Sequence, residues 1–88
     1  MYFLYIIKNT ADKLYVGVTK NLVKRVYYHN TKQGAQFTRS GARFETIFVE
    51  EYATLTEARK REIQIKKWRR DKKEMLIERY RKGLPSKI

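Results

Sequence analysis

The chain has no cysteine, so disulfides and thiolate metal sites are excluded. The absence suits a reducing cytoplasm, which is the expected compartment, with the nucleoid as the location of any DNA-bound fraction. No apolar run approaches the roughly 20 residues that a helix needs to cross a bilayer, and no membrane partner is expected. The N-terminus lacks a charged stretch followed by a long apolar one, so no signal peptide is expected. Repeats and low-complexity segments are absent too. Histidine, tryptophan and proline occur once each. Acids are scarce: 9 Asp and Glu face 21 Lys and Arg, a formal charge of +12 on 88 residues.

That excess has a direct consequence. A field of this sign gathers polyanions and speeds their capture. DNA is the leading expected partner, RNA the alternative, and binding should fall steeply with salt. At 88 residues the chain makes one small domain with a thin core, expected over residues 1–82, with 83–88 as a tail. It is expected to be a monomer or a weak homodimer.

Periodicity supplies the order of elements. Tyr2 to Lys8 is aromatic and β-branched and predicts a strand. Asn9 to Asp12 is a turn cluster, and Leu14 to Thr19 alternates with strand period. Their short connection predicts an antiparallel hairpin. Lys20 to about Thr31 predicts a helix, on which Arg25 and His29, four apart, share a face. Gln33 to Arg43 is a polar basic segment, and Phe44 to Tyr52 predicts a third strand. Thr54 and Glu57 have capping-box spacing for a helix running to about Arg69. Asp71 and Glu74 have the same spacing for a last helix, closed by Gly83 and Pro85. The order β-β-α-β-α-α predicts an α+β fold, a small three-stranded antiparallel sheet flanked by helices.

Within this frame a few residues have chemistry to offer. Leu55, Ala58, Glu62 and Ile65 form one helical stripe, so Glu62 interrupts the face expected against the sheet. A buried carboxylate needs a cation, either a metal or a side chain such as Arg25 or a neighbouring lysine. Tyr5 and Tyr15, ten residues apart, lie on paired strands, and Gly17 in mid-strand marks a close approach by a ligand or another backbone. Arg25 can fork onto a phosphate. Lys32, Thr38, Arg39 and Arg43 suit a phosphate-contact loop, and Arg61 and Lys66 belong to a charge run over the last helices. Each also has a plain reading: tyrosines as packing, charges as solvated surface. Trp68, three beyond Ile65, is expected in the core. Two phenols, an arginine and one half-buried glutamate together suit the cutting of a phosphodiester.

These residues resemble the GIY-YIG nucleases. Phe3-Leu4-Tyr5 stands where that family has its first triplet and Tyr15-Val16-Gly17 where it has its second. Arg25, His29 and Glu62 follow in the family's order. Gly34-Ala35-Gln36-Phe37-Thr38-Arg39 and Arg61-Glu62-Ile63-Gln64-Ile65-Lys66 are similar to stretches in its small stand-alone members. The resemblance implies metal-dependent hydrolysis of DNA phosphodiesters, with repair or recombination as the process. The alternative is a non-catalytic nucleic-acid-binding module of the same fold. The resemblance further implies one Mg2+ or Mn2+ on Glu62, Tyr15 as the base for the attacking water, and Tyr5 positioning that water. Arg25 would hold the scissile phosphate, and His29 would bind phosphate or relay a proton. An ordinary phenol, with a pKa near 10, is a weak base at neutral pH, so this role needs cations close by. Two positions depart from the family pattern. Phe3 replaces a glycine, and Val18 stands where repair-type members carry a lysine.

Overall fold

The computed structural model describes residues 1–31 and 44–85, with backbone only for 26 and 28–31. The elements are β1 (Tyr2–Asn9), β2 (Leu14–Thr19), α1 (Leu22–Thr31), β3 (Phe44–Tyr52), α2 (Leu55–Lys66) and α3 (Arg70–Arg81). The expected α+β order is the one observed. The sheet is antiparallel with β1 in the middle, in the order β2-β1-β3.

The hairpin between β1 and β2 is closed by Asn9, whose buried side-chain oxygen accepts from the Lys13 backbone N–H at 2.9 Å. Asp12 completes the turn at φ 67°, a left-handed conformation that aspartate tolerates better than most residues. The resulting register sets Tyr5 opposite Gly17 and Ile7 opposite Tyr15. On the other side Tyr5 faces Val49, and the register slips by one between Ile6 and Ile7.

Alternation along β1 then sorts the molecule into two faces. Leu4 and Ile6 enter a cluster with Phe48, Ile65, Leu76 and Ile77, which α2 and α3 cover. Tyr5 and Ile7 point the other way, to a smaller cluster with Phe44 that Leu22 of α1 backs. Each fully buried Leu, Ile or Phe in the larger cluster contributes about 1.5–3 kcal/mol.

Thr54 caps α2, its hydroxyl accepting from the Glu57 N–H at 3.2 Å. Ala58, Glu62 and Ile65 form its buried stripe. Leu55, expected in that stripe, is exposed. The helix ends at Lys66, three residues short of the expected end. There the Trp68 N–H reaches the Ile65 carbonyl at 3.0 Å, which tightens the last turn. Arg69 is extended, at φ −70° and ψ 161°, and starts α3 at Arg70. Asp71 therefore lies in the first turn of α3 and not at its cap. Trp68, expected in the core, is half-buried at this corner, with Lys72 4.4 Å and Arg61 5.3 Å from its ring. At the far end Gly83 takes φ 70°. The Leu84 N–H reaches the Arg79 carbonyl at 2.9 Å and the Gly83 N–H the Tyr80 carbonyl at 3.1 Å, a Schellman close.

Candidate active site

The site begins with a glycine. Gly17 lies under the Tyr5 ring, and a Cβ at this position would overlap the Tyr5 hydroxyl and ring carbons. The missing side chain lets the buried phenol lie flat across β2. Its hydroxyl oxygen accepts a hydrogen bond from Arg25 Nε at 3.3 Å.

Arg25 is delivered by a compact corner. Thr19 Oγ1, at the end of β2, accepts from the Asn21 N–H at 3.2 Å. Asn21 in turn caps α1, its Oδ1 accepting from the Lys24 N–H at 3.0 Å and its carbonyl from the Arg25 N–H at 3.0 Å. This cap was missed in the sequence, although an asparagine directly before Leu22 is an ordinary N-cap signal. Thr19, Asn21, Lys24 and Arg25 line a cleft of about 230 Å³.

Tyr15 shares this face of the sheet. It stands opposite Ile7, one diagonal step from Tyr5, which in an antiparallel pair is roughly 7–8 Å. Its ring meets Phe44 edge-on at 5.3 Å, and the residue is 37% exposed. The structure therefore brings Tyr5, Tyr15, Gly17 and Arg25 together. His29 follows Arg25 by one turn of α1, and its side chain lies outside the described residues. So do Lys32, Thr38, Arg39 and Arg43.

Glu62 is 6% exposed, and α2 is anchored through Ile65 to the Leu4–Ile6 face, opposite the tyrosines. Its oxygens are both held from its own helix, Oε1 by Arg59 at 2.9 Å and Oε2 by Lys66 at 3.2 Å. Burial alone would raise the carboxyl pKa. The hydrogen bonds and charges of Arg59 and Lys66 outweigh it and hold the pKa below the usual 4.5. The side-chain cation expected for Glu62 is thus Lys66 together with Arg59, and not Arg25. Arg59 was overlooked in the sequence, although it precedes Glu62 by three residues, a contact spacing on a helix.

Arg61 turns inward and is not presented to a phosphate. Its Nε pairs with Glu50 Oε1 at 3.1 Å, and its side chain is 11% exposed. Glu50 also accepts from the Tyr52 hydroxyl at 2.9 Å. Burial, then that hydrogen bond and the Glu50 charge, push the Tyr52 phenol up to about 12. Arg61, Glu50 and Tyr52 thus fasten α2 to β3.

The donor chemistry of Glu62 suits a hard divalent ion. Mg2+ typically takes one or two protein carboxylates and fills its shell with water and substrate phosphate. Among the described residues no group of three His, Cys, Asp or Glu side chains could hold a metal by protein ligands alone. A metal on Glu62 would need Arg59 or Lys66 to give way.

Comparison with known families gives a nuclease-type fold. Residues 1–75 match the GIY-YIG catalytic domain, and the chain belongs to that family. It is 38% identical over 80 residues to a UPF0213 protein of Bacillus pumilus, covering 91% of this chain and 82% of the relative. It is 40% identical over 80 residues to the UPF0213 protein YazA of Bacillus subtilis, covering 91% and 81%. A UPF0213 protein of Staphylococcus aureus is 41% identical over 76 residues, covering 86% and 93%. No solved structure matches the chain. Nucleases of this family generally use divalent metal ions on nucleic acid.

Proposed function

We propose that this protein is a metal-dependent endonuclease that hydrolyses phosphodiester bonds in DNA. The observation that carries the reading is the Tyr5–Gly17–Arg25 arrangement, in which a guanidinium is held by a phenol and opens onto a cleft.

Arg25 binds the scissile phosphate through its guanidinium, while the Tyr5 hydroxyl orients it and positions the water. Tyr15, the more exposed phenol, acts after losing its own proton to solvent: the phenolate oxygen takes the proton from the attacking water and becomes the neutral phenol. Glu62, kept ionised by Arg59 and Lys66, would hold Mg2+ or Mn2+ once one of those two partners gives way, and the ion would supply the charge that polarises the phosphate and neutralises the leaving oxygen. His29, Lys32, Thr38, Arg39 and Arg43 add phosphate contacts. On this reading the protein acts in the cytoplasm, as a monomer or a weak homodimer.

A second reading, a binding module that does not cut, is favoured by one observation: both Glu62 oxygens are already paired. One comparison decides between them. Wild-type protein with Mg2+ or Mn2+ should nick duplex, branched or flap DNA, and Glu62→Gln should bind equally and not cut. Identical behaviour of the two proteins on every substrate would leave only the binding module.

A further inference from the structure

Beside Tyr15, on the side away from Arg25, a second cleft of about 260 Å³ is lined by Lys13, Leu14, Tyr15, Arg70 and Lys73. Of its three cations, Arg70 is committed. It reaches the Asp12 carbonyl, pairs with Asp12 Oδ2 at 3.0 Å, and holds Glu74 at 3.2 Å. These bonds fasten the hairpin turn to the start of α3, across 58 positions of sequence. Asp12, Asp71 and Glu74, the acids nearest to this cleft in sequence, are paired with other cations, Asp12 also with Lys8 at 3.4 Å and Asp71 with Arg69 at 3.9 Å.

Lys13 and Lys73 are different. Neither has a carboxylate partner among the described residues, and Lys73 is half-buried. One comes from the hairpin and the other from α3, and the Arg70–Asp12 tie brings them to one cleft. Two unmatched ammonium groups held together in a concavity disfavour each other, and a polyanion relieves that cost.

We propose that Lys13 and Lys73 form a docking surface for the backbone of duplex DNA, leading the strand away from the site over the hairpin. The proposal rests on the Tyr5–Tyr15 face being the one that meets the phosphodiester. Arg25 stands at one end of the path and Lys13 at the other, with Tyr5 and Tyr15 between. Four residues separate Lys13 from Gly17, about 13 Å of strand. That length matches about four base-pair rises along the axis of B-form DNA, at about 3.4 Å per charge of one strand. Each lysine engages a phosphate as a mobile point charge, which suits a sequence-independent grip. Arg70 is the positioning residue that holds the two lysines within reach of one strand.

The test is the salt dependence of duplex-DNA binding by the full chain in EDTA. Lys13→Ala/Lys73→Ala should lower the slope of log K against log salt by about 1.8, at 0.9 per lost contact. Between 50 and 200 mM KCl the double variant should therefore lose about 12-fold less affinity than wild type. Lys13→Arg/Lys73→Arg, which keeps the charge, should retain the wild-type slope. Removal of the same charge at Lys60 on α2 and Lys67 at its C-cap should change the slope by less than half as much. An unchanged slope in the alanine variant, or an equal change at Lys60 and Lys67, overturns the proposal. So does a slope change seen on duplex RNA and not on DNA. Cleavage with Mg2+ separates the two readings. Wild type that cuts, with no slope change in the variant, overturns only the docking surface. A slope change with no cutting by wild type supports the surface and overturns the hydrolytic reading.

Discussion

β1 shows two different proteins to its two sides. Leu4 and Ile6 look onto Phe48, Ile65, Leu76 and Ile77, an apolar layer closed by two helices. Tyr5 and Ile7 look onto Phe44 and Leu22. The first face holds most of the apolar burial. The second is thin, and its centre is a phenol hydrogen-bonded to a guanidinium. Folding free energy and candidate chemistry are separated by one backbone thickness. Chemistry can sit on the thin face because the thick face already stabilises the sheet that displays it.

Damage on the thick side should be the most severe. Phe48→Ala removes a fully buried ring and should cost about 3–5 kcal/mol, measured by urea unfolding. In a domain of this size each kcal/mol is about 4–8 °C in Tm. A loss below 1 kcal/mol would break the comparison at its root.

Gly17→Ala sharpens it from the thin side. The new methyl overlaps the Tyr5 hydroxyl, so the ring must leave Gly17 and Arg25. We expect a cost of about 1–3 kcal/mol, typical of overpacking. Nicking of DNA should be lost with it, since the arginine is released from its partner. A variant that cuts at wild-type rate would remove the Tyr5–Arg25 bond from the mechanism.

Tyr5→Phe keeps the ring and deletes the hydroxyl. Stability should change by about 1 kcal/mol, the net worth of one hydrogen bond, with a far larger proportional loss of cleavage. Equal losses in both measurements would mean that the thin face is structural as well.

The smallest effect belongs to Glu62 and is read in acid. Its folded pKa lies below 4.5, so the ion pairs with Arg59 and Lys66 stabilise the fold above the unfolded pKa. That contribution is lost as pH falls through the folded value. Urea unfolding of wild type and Glu62→Gln should differ by a constant amount from neutral pH down to about 4.5, and the gap should close below it. A gap that widens in acid would reverse the assigned direction.

Local pattern announced more of the fold than of the site. The strands at Leu14–Thr19 and Phe44–Tyr52, the Thr54 cap and the Gly83 stop follow from alternation, capping and left-handed glycine, all interactions within a few residues. The corner between α2 and α3 did not follow. The spacing of Asp71 and Glu74 pointed to a start two residues late, and the chain breaks where Trp68 docks on the core. Tyr5, Tyr15, Gly17, Arg25 and Glu62 could be singled out by residue type and spacing. Their pairing could not.

Charge, length, element order and the buried stripe of α2 were decided by sequence alone, because composition and 2.0- or 3.6-residue periods need no distant partner. Tertiary structure decided the register that lays Tyr5 over Gly17, and it matched Arg25 to that phenol. It gave Glu62 to Arg59 and Lys66, closed Arg61 on Glu50, and brought Lys13 to Lys73. Most of these are contests between cations for few anions. They are settled by which side chains the packed sheet and helices bring within a few ångströms.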